Sequence, residues 1–226
     1  MEKGKMEKER SKWFDVTDRM NQEDDVEFGR HLTYRMEKTP PQMAFFLSHY
    51  KFAAKLIGRG KKVLDIGCGE GLGTWLLAVE CGFAKGVDFD EDSVGIAQKN
   101  WRDQRVEFKT ADFMLEAPGT WDAVVNFDVI EHIRPEGAKG FLRRIGDNLA
   151  HDGICIIGTP SLESRKYAPD VSRAGQINVY AQERLEAEMK EHFHHVFMFT
   201  GNDEVIQTMS PRAADYLIAV GCRKRN

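Results

Sequence analysis

An α/β fold built on a mostly parallel sheet, with helices on its faces, is what this sequence predicts. Three observations carry that expectation. From Lys61 onward, short apolar runs alternate with helix-patterned segments, the rhythm of strands joined by crossover helices. The runs are nearly unbroken, as in "KVLDIG" and "WDAVVNF", and strands covered on both faces read that way. The first run leads into "GCGEGLG", where Gly67, Gly69, Gly71 and Gly73 fall at every second position. Glycines give up side-chain packing and cost backbone entropy, so four together mark a place where the main chain must come close to something.

The elements follow in order. Residues 1–41 are dense in charge and end in "KTPPQ", whose two prolines interrupt a helix. Trp13, Phe14, Phe28 and Tyr34 make this segment more than a solvated tail, and beyond Ser11 it reads as short helices folded over a pocket, an extension or lid. The remainder, 42–226, reads as one domain. From Gln42 to Ile57, Met43, Phe46, Leu47, Tyr50, Ala54 and Ile57 share one helical face, and Gly58 and Gly60 end the helix. "KVLDIG" is the first strand and 72–81 a helix; "AKGVDF" is the second strand and 91–101 a helix capped by Asp90. "VEFKTAD" and "WDAVVNF" follow as strands, then a helix over 136–149 and the strand "GICIIGTP". A long connection over 159–179, a helix over 181–192 and the strands "VFMFT" and "DYLIAVGCR" bring the strand count to seven.

Composition narrows the partners. With 226 residues, 42% of them hydrophobic, the chain can bury a substantial core. Its 32 basic and 36 acidic residues give a net charge of −4, which argues against a surface built to neutralise nucleic-acid phosphates. Cys68, Cys81, Cys155 and Cys222 lack CxxC spacing and sit in or beside apolar stretches, as buried thiols of a reducing compartment do. No apolar run is long enough to cross a bilayer, and "MEKGKMEKERSKW" has no apolar core of a signal peptide. A cytoplasmic protein without a membrane partner is expected. The N-terminal segment is suited to cover its own pocket or to exchange between the subunits of a homodimer.

In open α/β sheets, ligands sit beyond the carboxyl ends of the strands, and a helix N-terminus offers free N–H groups to negative charge. A phosphate-binding Walker loop is excluded because the Lys of GxxxxGK[ST] is missing. A dinucleotide fingerprint fails in both registers, since Leu72 or Thr74 occupies its last position. What remains is Asp65-x-Gly67-x-Gly69-x-Gly71, which resembles the first motif of the class I S-adenosylmethionine-dependent methyltransferases. Asp88 ends the second strand in "GVDFD", 17 residues past Gly71, and Asp112 ends the third in "TADFM". The resemblance spans residues 42–222. It implies S-adenosylmethionine as the cofactor, with Asp65, Gly67, Cys68, Gly69 and Gly71 at its amino-acid end. It implies Asp88 on the ribose hydroxyls, Asp112 at the adenine amino group, and Phe89 and Phe113 sandwiching the adenine. It also implies a Rossmann-like sheet of order 3-2-1-4-5-7-6 with its last strand antiparallel.

Methyl transfer is an in-line displacement on an activated sulfonium, so the protein chiefly aligns an acceptor and excludes water. A base is needed where the acceptor carries a proton, as a hydroxyl does. The stretch "NFDVIEHIRPEG" after the fourth strand lacks the paired prolines of the amino-methyltransferases that modify DNA bases and protein glutamines. "FDVIEHI" looks like the corresponding segment of the ubiquinone-biosynthesis O-methyltransferases. That likeness implies main-chain contact of Asn126 and Phe127 with the methionine part of the cofactor, and Glu131 and His132 at the floor of the acceptor site. His132 is the candidate base, imidazole being the side chain that titrates nearest neutrality; the competing reading is that Glu131 and His132 only orient their loop. A second alternative is a divalent metal held by Asp128, Glu131 and His132 with one of His192, His194 or His195, although the "HFHH" cluster also suits a helix end.

Acceptor recognition is expected from Tyr34 or Arg35, from Arg165, Lys166, Tyr167, Arg173 and Tyr180 in the long connection, and from Asn202, Asp203 and Glu204. The expected reaction is methylation of a hydroxyl on a small metabolite such as a phenol, quinone precursor or sugar. Its rivals are N-methylation of a small amine and a non-catalytic cofactor-binding partner subunit.

Overall fold

The computed structural model describes residues 10–16, 25–116, 119–167, 170–202, 205–208 and 215–225. A helical segment α1 (10–16) is followed by α2 (Arg30–Lys38), α3 (Pro40–Ile57), β1 (Lys61–Ile66), α4 (Leu72–Cys81), β2 (Gly82–Asp88), α5 (Glu91–Asn100) and β3 (Val106–Thr110). Then come β4 (Trp121–Phe127), a 3-10 turn (Ile130–His132), α6 (Pro135–Asn148), β5 (Leu149–Pro160), a second short turn (Ser164–Tyr167) and α7 (Asp170–Gly175). The chain closes with α8 (Gln182–His192), β6 (Phe193–Asn202), β7 (Val205–Gln207) and β8 (Tyr216–Lys224).

The strands form one sheet of order β3-β2-β1-β4-β5-β8-β6-β7. β1 to β5 pair in parallel, while β8 runs antiparallel to both of its neighbours. The order is the expected one, with β8 in the seventh strand's place. The count is eight rather than seven, because the three residues of β7 fold back on β6 through Thr200–Gln207, Gly201–Ile206 and Asn202–Val205. Three residues are too few for a period-two pattern to register in the sequence.

Local chemistry explains the boundaries. Pro40 and Pro41 stand in the first turn of α3, where a missing N–H removes no helical hydrogen bond. The prolines therefore divide α2 from α3 rather than abolish either. Asp90 takes the N-cap position of α5, and its carboxylate accepts the Ser93 hydroxyl at 2.7 Å. One face of the sheet packs on Phe141, Leu142 and Ile145 of α6 and on Leu185 and Met189 of α8. The other packs on Tyr50, Ala53, Ala54 and Ile57 of α3 and on Leu77 and Ala78 of α4. Each fully buried Leu or Ile among these contributes about 1.5–3 kcal/mol of transfer free energy. All four thiols are free, three of them buried.

Two ends of the sheet follow from this topology. The strand order reverses between β1 and β4, and the carboxyl ends there open a switch-point crevice. Pro160 of β5 and Gly201 of β6 both pair with Tyr216, so the end of β6 lies at the crevice end of the sheet. Its beginning, where Phe193 pairs with Lys224, lies at the opposite end. His192 does end a helix, as expected, but His194 and His195 are strand residues, and all three belong to the end remote from the crevice.

Candidate functional site

The loop after β1 is tied inward. Gly67 and Cys68 donate their amides to Val87 O at 2.8 and 3.2 Å, Gly71 donates to Cys68 O at 3.0 Å, and Gly69 donates to Asp88 Oδ2 at 2.9 Å. Gly67, Gly69 and Gly71 have φ of +78°, +50° and +80°, the left-handed region that glycine enters without strain. A Cβ at Gly67 would overlap the Val129 side chain, so this glycine lets the loop after β4 rest on the loop after β1. A Cβ at Gly73 would overlap the Tyr50 ring, where α4 packs against α3. The close approach anticipated from the glycines is thus, in the first instance, an approach of the chain to itself.

Asp65 departs from the expectation for a cofactor ligand. It is wholly buried beneath the loop, accepting Thr74 Oγ1 at 2.6 Å and Tyr50 OH at 3.4 Å. Burial pushes its carboxyl up to about 7 against the pull of those two hydrogen bonds. It braces the start of α4. Cys68 likewise turns its thiol inward, among Val94, Ala97 and Phe108, leaving only main chain to face the crevice.

Asp88 is the last residue of β2, as expected, and Asp112 lies two residues past the end of the neighbouring strand β3. Asp88 Oδ1 accepts the Asp90 amide at 3.0 Å, and Asp112 Oδ1 accepts the Met114 amide at 2.8 Å. Each carboxylate keeps further lone pairs for a ligand. The aromatic sandwich, by contrast, does not form. Phe89 is 82% exposed, whereas Phe113 is buried and packs edge-on against Phe141 of α6 with ring centroids 5.7 Å apart. The tight turn at Asp112 sends the Phe113 ring into the core.

After β4, Asn126 is buried and donates Nδ2 to Ile66 O at 3.1 Å, bridging the two strands of the switch point, while its Oδ1 has no partner. Phe127 is a core ring, 5.0 Å from Tyr50, so only its main chain can serve a ligand. Asp128 holds a left-handed φ of +57°, uncommon for a side-chain-bearing residue. Its Oδ1 accepts Tyr216 OH at 2.9 Å, and its Oδ2 lies 3.4 Å from Arg35 Nη2.

Glu131 is 1% exposed, accepts the Thr159 hydroxyl at 3.1 Å, and takes the amides of Ile177 and Asn178 on its main-chain oxygen, each at 2.9 Å. Burial, and then the negative charge of Asp128, push its carboxyl up to about 8. Its proton is therefore held well above the ordinary carboxylate range. His132 is exposed, and its Nδ1 lies 2.8 Å from Gly175 O. A carbonyl can only accept, so Nδ1 carries the proton and Nε2 keeps its lone pair.

The metal alternative finds no support in this arrangement. Asp128, Glu131 and His132 each engage different partners, and no group of three or more His, Cys, Asp or Glu apt for a metal occurs among the described residues. Tyr180 is also unsuited to acceptor contact, being fully buried with its hydroxyl donated to Glu188 at 3.0 Å. Arg173 pairs with Asp170. Tyr167 is 77% exposed, with Lys166 over its ring. Asn202 accepts the Asp215 amide at 2.9 Å, while Asp203 and Glu204 lie outside the described residues.

Several residues here escaped the sequence reading. His49 is buried with its Nε2 unpartnered and its ring stacked on Tyr216 at 4.1 Å; burial pushes the imidazole down to about 4. Glu70, a spacer in the glycine motif, accepts the amides of Gly29, His31 and Leu32. Thr159 and Tyr216 reach the loop after β4 from other strands. All four depend on partners distant in sequence, for which no spacing rule exists.

Residues 31–211 match a family described as methyltransferase domain. The chain is 32% identical over 114 residues to the ubiquinone biosynthesis O-methyltransferase of Azorhizobium caulinodans, covering 49% of this chain and 44% of that protein. It is 34% identical over 139 residues to a "Probable S-adenosylmethionine-dependent methyltransferase" of Mycobacterium tuberculosis, covering 58% and 49%. The chain thus spans about half the length of the curated relatives it matches. Among solved structures, a TehB-like SAM-dependent methyltransferase of Corynebacterium glutamicum shares the fold with a TM-score of 0.62 at 19% identity, over 78% of this chain and 88% of that one.

Proposed function

The chain belongs to this family of S-adenosylmethionine-dependent methyltransferases, and from that premise we propose that it methylates a hydroxyl of a small metabolite such as a phenol, quinone precursor or sugar. The residues at the switch point fit the cofactor. Asp88 and Asp112 retain acceptor capacity for ribose hydroxyls and an adenine amino group, and Asn126 Oδ1 is left without a partner beside the end of β1, where main chain would meet the methionine part. When bound, S-adenosylmethionine supplies a methyl group on a positively charged sulfur.

The observation that carries hydroxyl methylation is the contact of His132 Nδ1 with Gly175 O at 2.8 Å, which fixes the tautomer. With Nδ1–H held by Gly175 O, Nε2 is free to take the proton that a hydroxyl must lose as it is methylated. The neighbouring Glu131 anchors this turn through Thr159, Ile177 and Asn178. Its raised affinity for a proton lessens the negative charge against which the hydroxyl oxygen would have to develop its own. No described helix is long and apolar enough to cross a membrane; a cytoplasmic location is part of the proposal.

The test is a panel of phenols, sugars and amines assayed with S-adenosylmethionine on the wild type and on His132→Ala. Loss of the base lowers kcat on the preferred hydroxyl acceptor by about 10²–10⁴-fold. A preference for amines, with kcat unaffected by the substitution, refutes the proposal and favours N-methylation.

A further inference from the structure

Glu70 lies between the second and third glycines of the loop after β1, yet its carboxylate serves another element. It is 3% exposed and accepts the amides of Gly29 at 2.9 Å, His31 at 2.8 Å and Leu32 at 3.2 Å. A helix begins with N–H groups that have no internal partner and with a partial positive charge. The N-cap of α2 is Gly29, which has no side chain to meet either need, and Glu70 meets both. The fit is close: a Cβ at Gly29 would come within 2.7 Å of Glu70 Cδ and 2.6 Å of Ile96 Cδ1.

The contacts on either side show where this segment runs. Glu27 exchanges hydrogen bonds with Asn100 at 3.1 and 2.7 Å and pairs with Lys99, and Arg30 pairs with Asp92 at 3.2 Å. The chain therefore travels back along α5 from its end to its beginning. At the far end of α2, Arg35 lies 3.4 Å from Asp128 and stacks over Phe46 at 4.9 Å. α5 follows β2 and Asp128 follows β4, and in the sheet β1 lies between those two strands. Residues 27–38 thus cross the carboxyl end of β1, over the crevice. Only Leu32 of α2 is buried. A segment held chiefly by polar contacts, with one apolar anchor, opens more readily than the core beneath it.

We propose that residues 27–38 are a strap across the cofactor crevice, latched by Glu70 at one end and Arg35 at the other, which must open for the crevice to load or empty. Glu70 is then a positioning residue that couples the glycine loop to the acceptor side through α2. This inference rests on the reading that the crevice takes S-adenosylmethionine.

The test measures association and dissociation rates of S-adenosylhomocysteine by stopped flow, on the full chain and on Glu70→Ala and Arg35→Ala, with a thermal melt as the folding control. Weakening either latch raises both rates by about tenfold, the scale of a lost helix cap, and leaves Kd little changed. A lost ligand contact would raise the dissociation rate alone, so the paired change separates a gate from a contact. Unchanged rates, a rise in dissociation only, or an effect confined to Glu70→Ala overturns the strap. Arg35→Ala carries the test alone if Glu70→Ala does not fold. A wild type that binds no S-adenosylhomocysteine removes the cofactor reading itself, a result distinct from binding with unaltered rates.

Discussion

Burial sets the protonation of the side chains around the crevice, and this has consequences for stability. Glu131 and Asp65 have folded-state carboxyls raised to about 8 and about 7. Both therefore bind a proton more tightly folded than unfolded, and their contribution is present at low pH and lost as pH rises through those values. His49 has the opposite sign: its imidazole is lowered to about 4, so stability is lost as pH falls from the ordinary histidine range toward that value. Tm should accordingly decline as pH rises from the ordinary carboxylate range to about 8. Glu131→Gln, which keeps an acceptor for Thr159, should flatten the upper part of that decline in a melting series; an unaltered slope would mean that Glu131 is ionised in the fold. Steric demand is equally specific at Gly73. Because its Cβ would overlap the Tyr50 ring, Gly73→Ala should cost about 1–3 kcal/mol in denaturant unfolding. The sequence marked Gly73, Asp88, Asp112, Glu131 and His132 because their type and spacing carry information by themselves. It was silent on Glu70 and Tyr216, whose partners lie 38 to 41 and 88 positions away.

At the scale of elements, β1 to β5 were legible because burial on both faces leaves an unbroken apolar signature. β7 was not, since an edge strand of three residues depends on its pairing with β6 rather than on its own composition. The prolines at 40 and 41 were read correctly as punctuation. The aromatic sandwich failed for a different reason: a residue following a strand-end acid can turn to either side, and the core behind Phe113 offered the larger burial. α2 belongs to the cofactor end by its polar contacts and to the core by Leu32 alone, which is 4% exposed. Leu32→Ala should therefore hasten proteolytic cleavage within residues 25–38 while leaving the main unfolding transition nearly in place. A cooperative loss of Tm of the size seen for a core cavity would show instead that α2 unfolds with the sheet.

For the whole molecule, the sheet order collects its chemistry at one end. Parallel strands bring Asp88, Asp112, Asn126 and Asp128 to a single edge, and the reversal between β1 and β4 opens the crevice among them. The same topology carries His192, His194 and His195 away from it, which no count of residues along the chain could reveal. Fold and cofactor class were thus readable from a motif and a periodicity, whereas the cluster around Asp128 and Glu131 is assembled from α2, β5 and β8 and emerges only on folding. The acids at the strand ends are proposed to hold an adenosyl group, and calorimetric titration with S-adenosylhomocysteine tests this most directly. The wild type should bind one equivalent, and Asp88→Asn, which keeps an acceptor for one of the two amides (Gly69 and Asp90) that Asp88 accepts, should bind about tenfold more weakly while its melting temperature stays close to that of the wild type. Equal affinity in the two proteins, or no binding by the wild type, would contradict it.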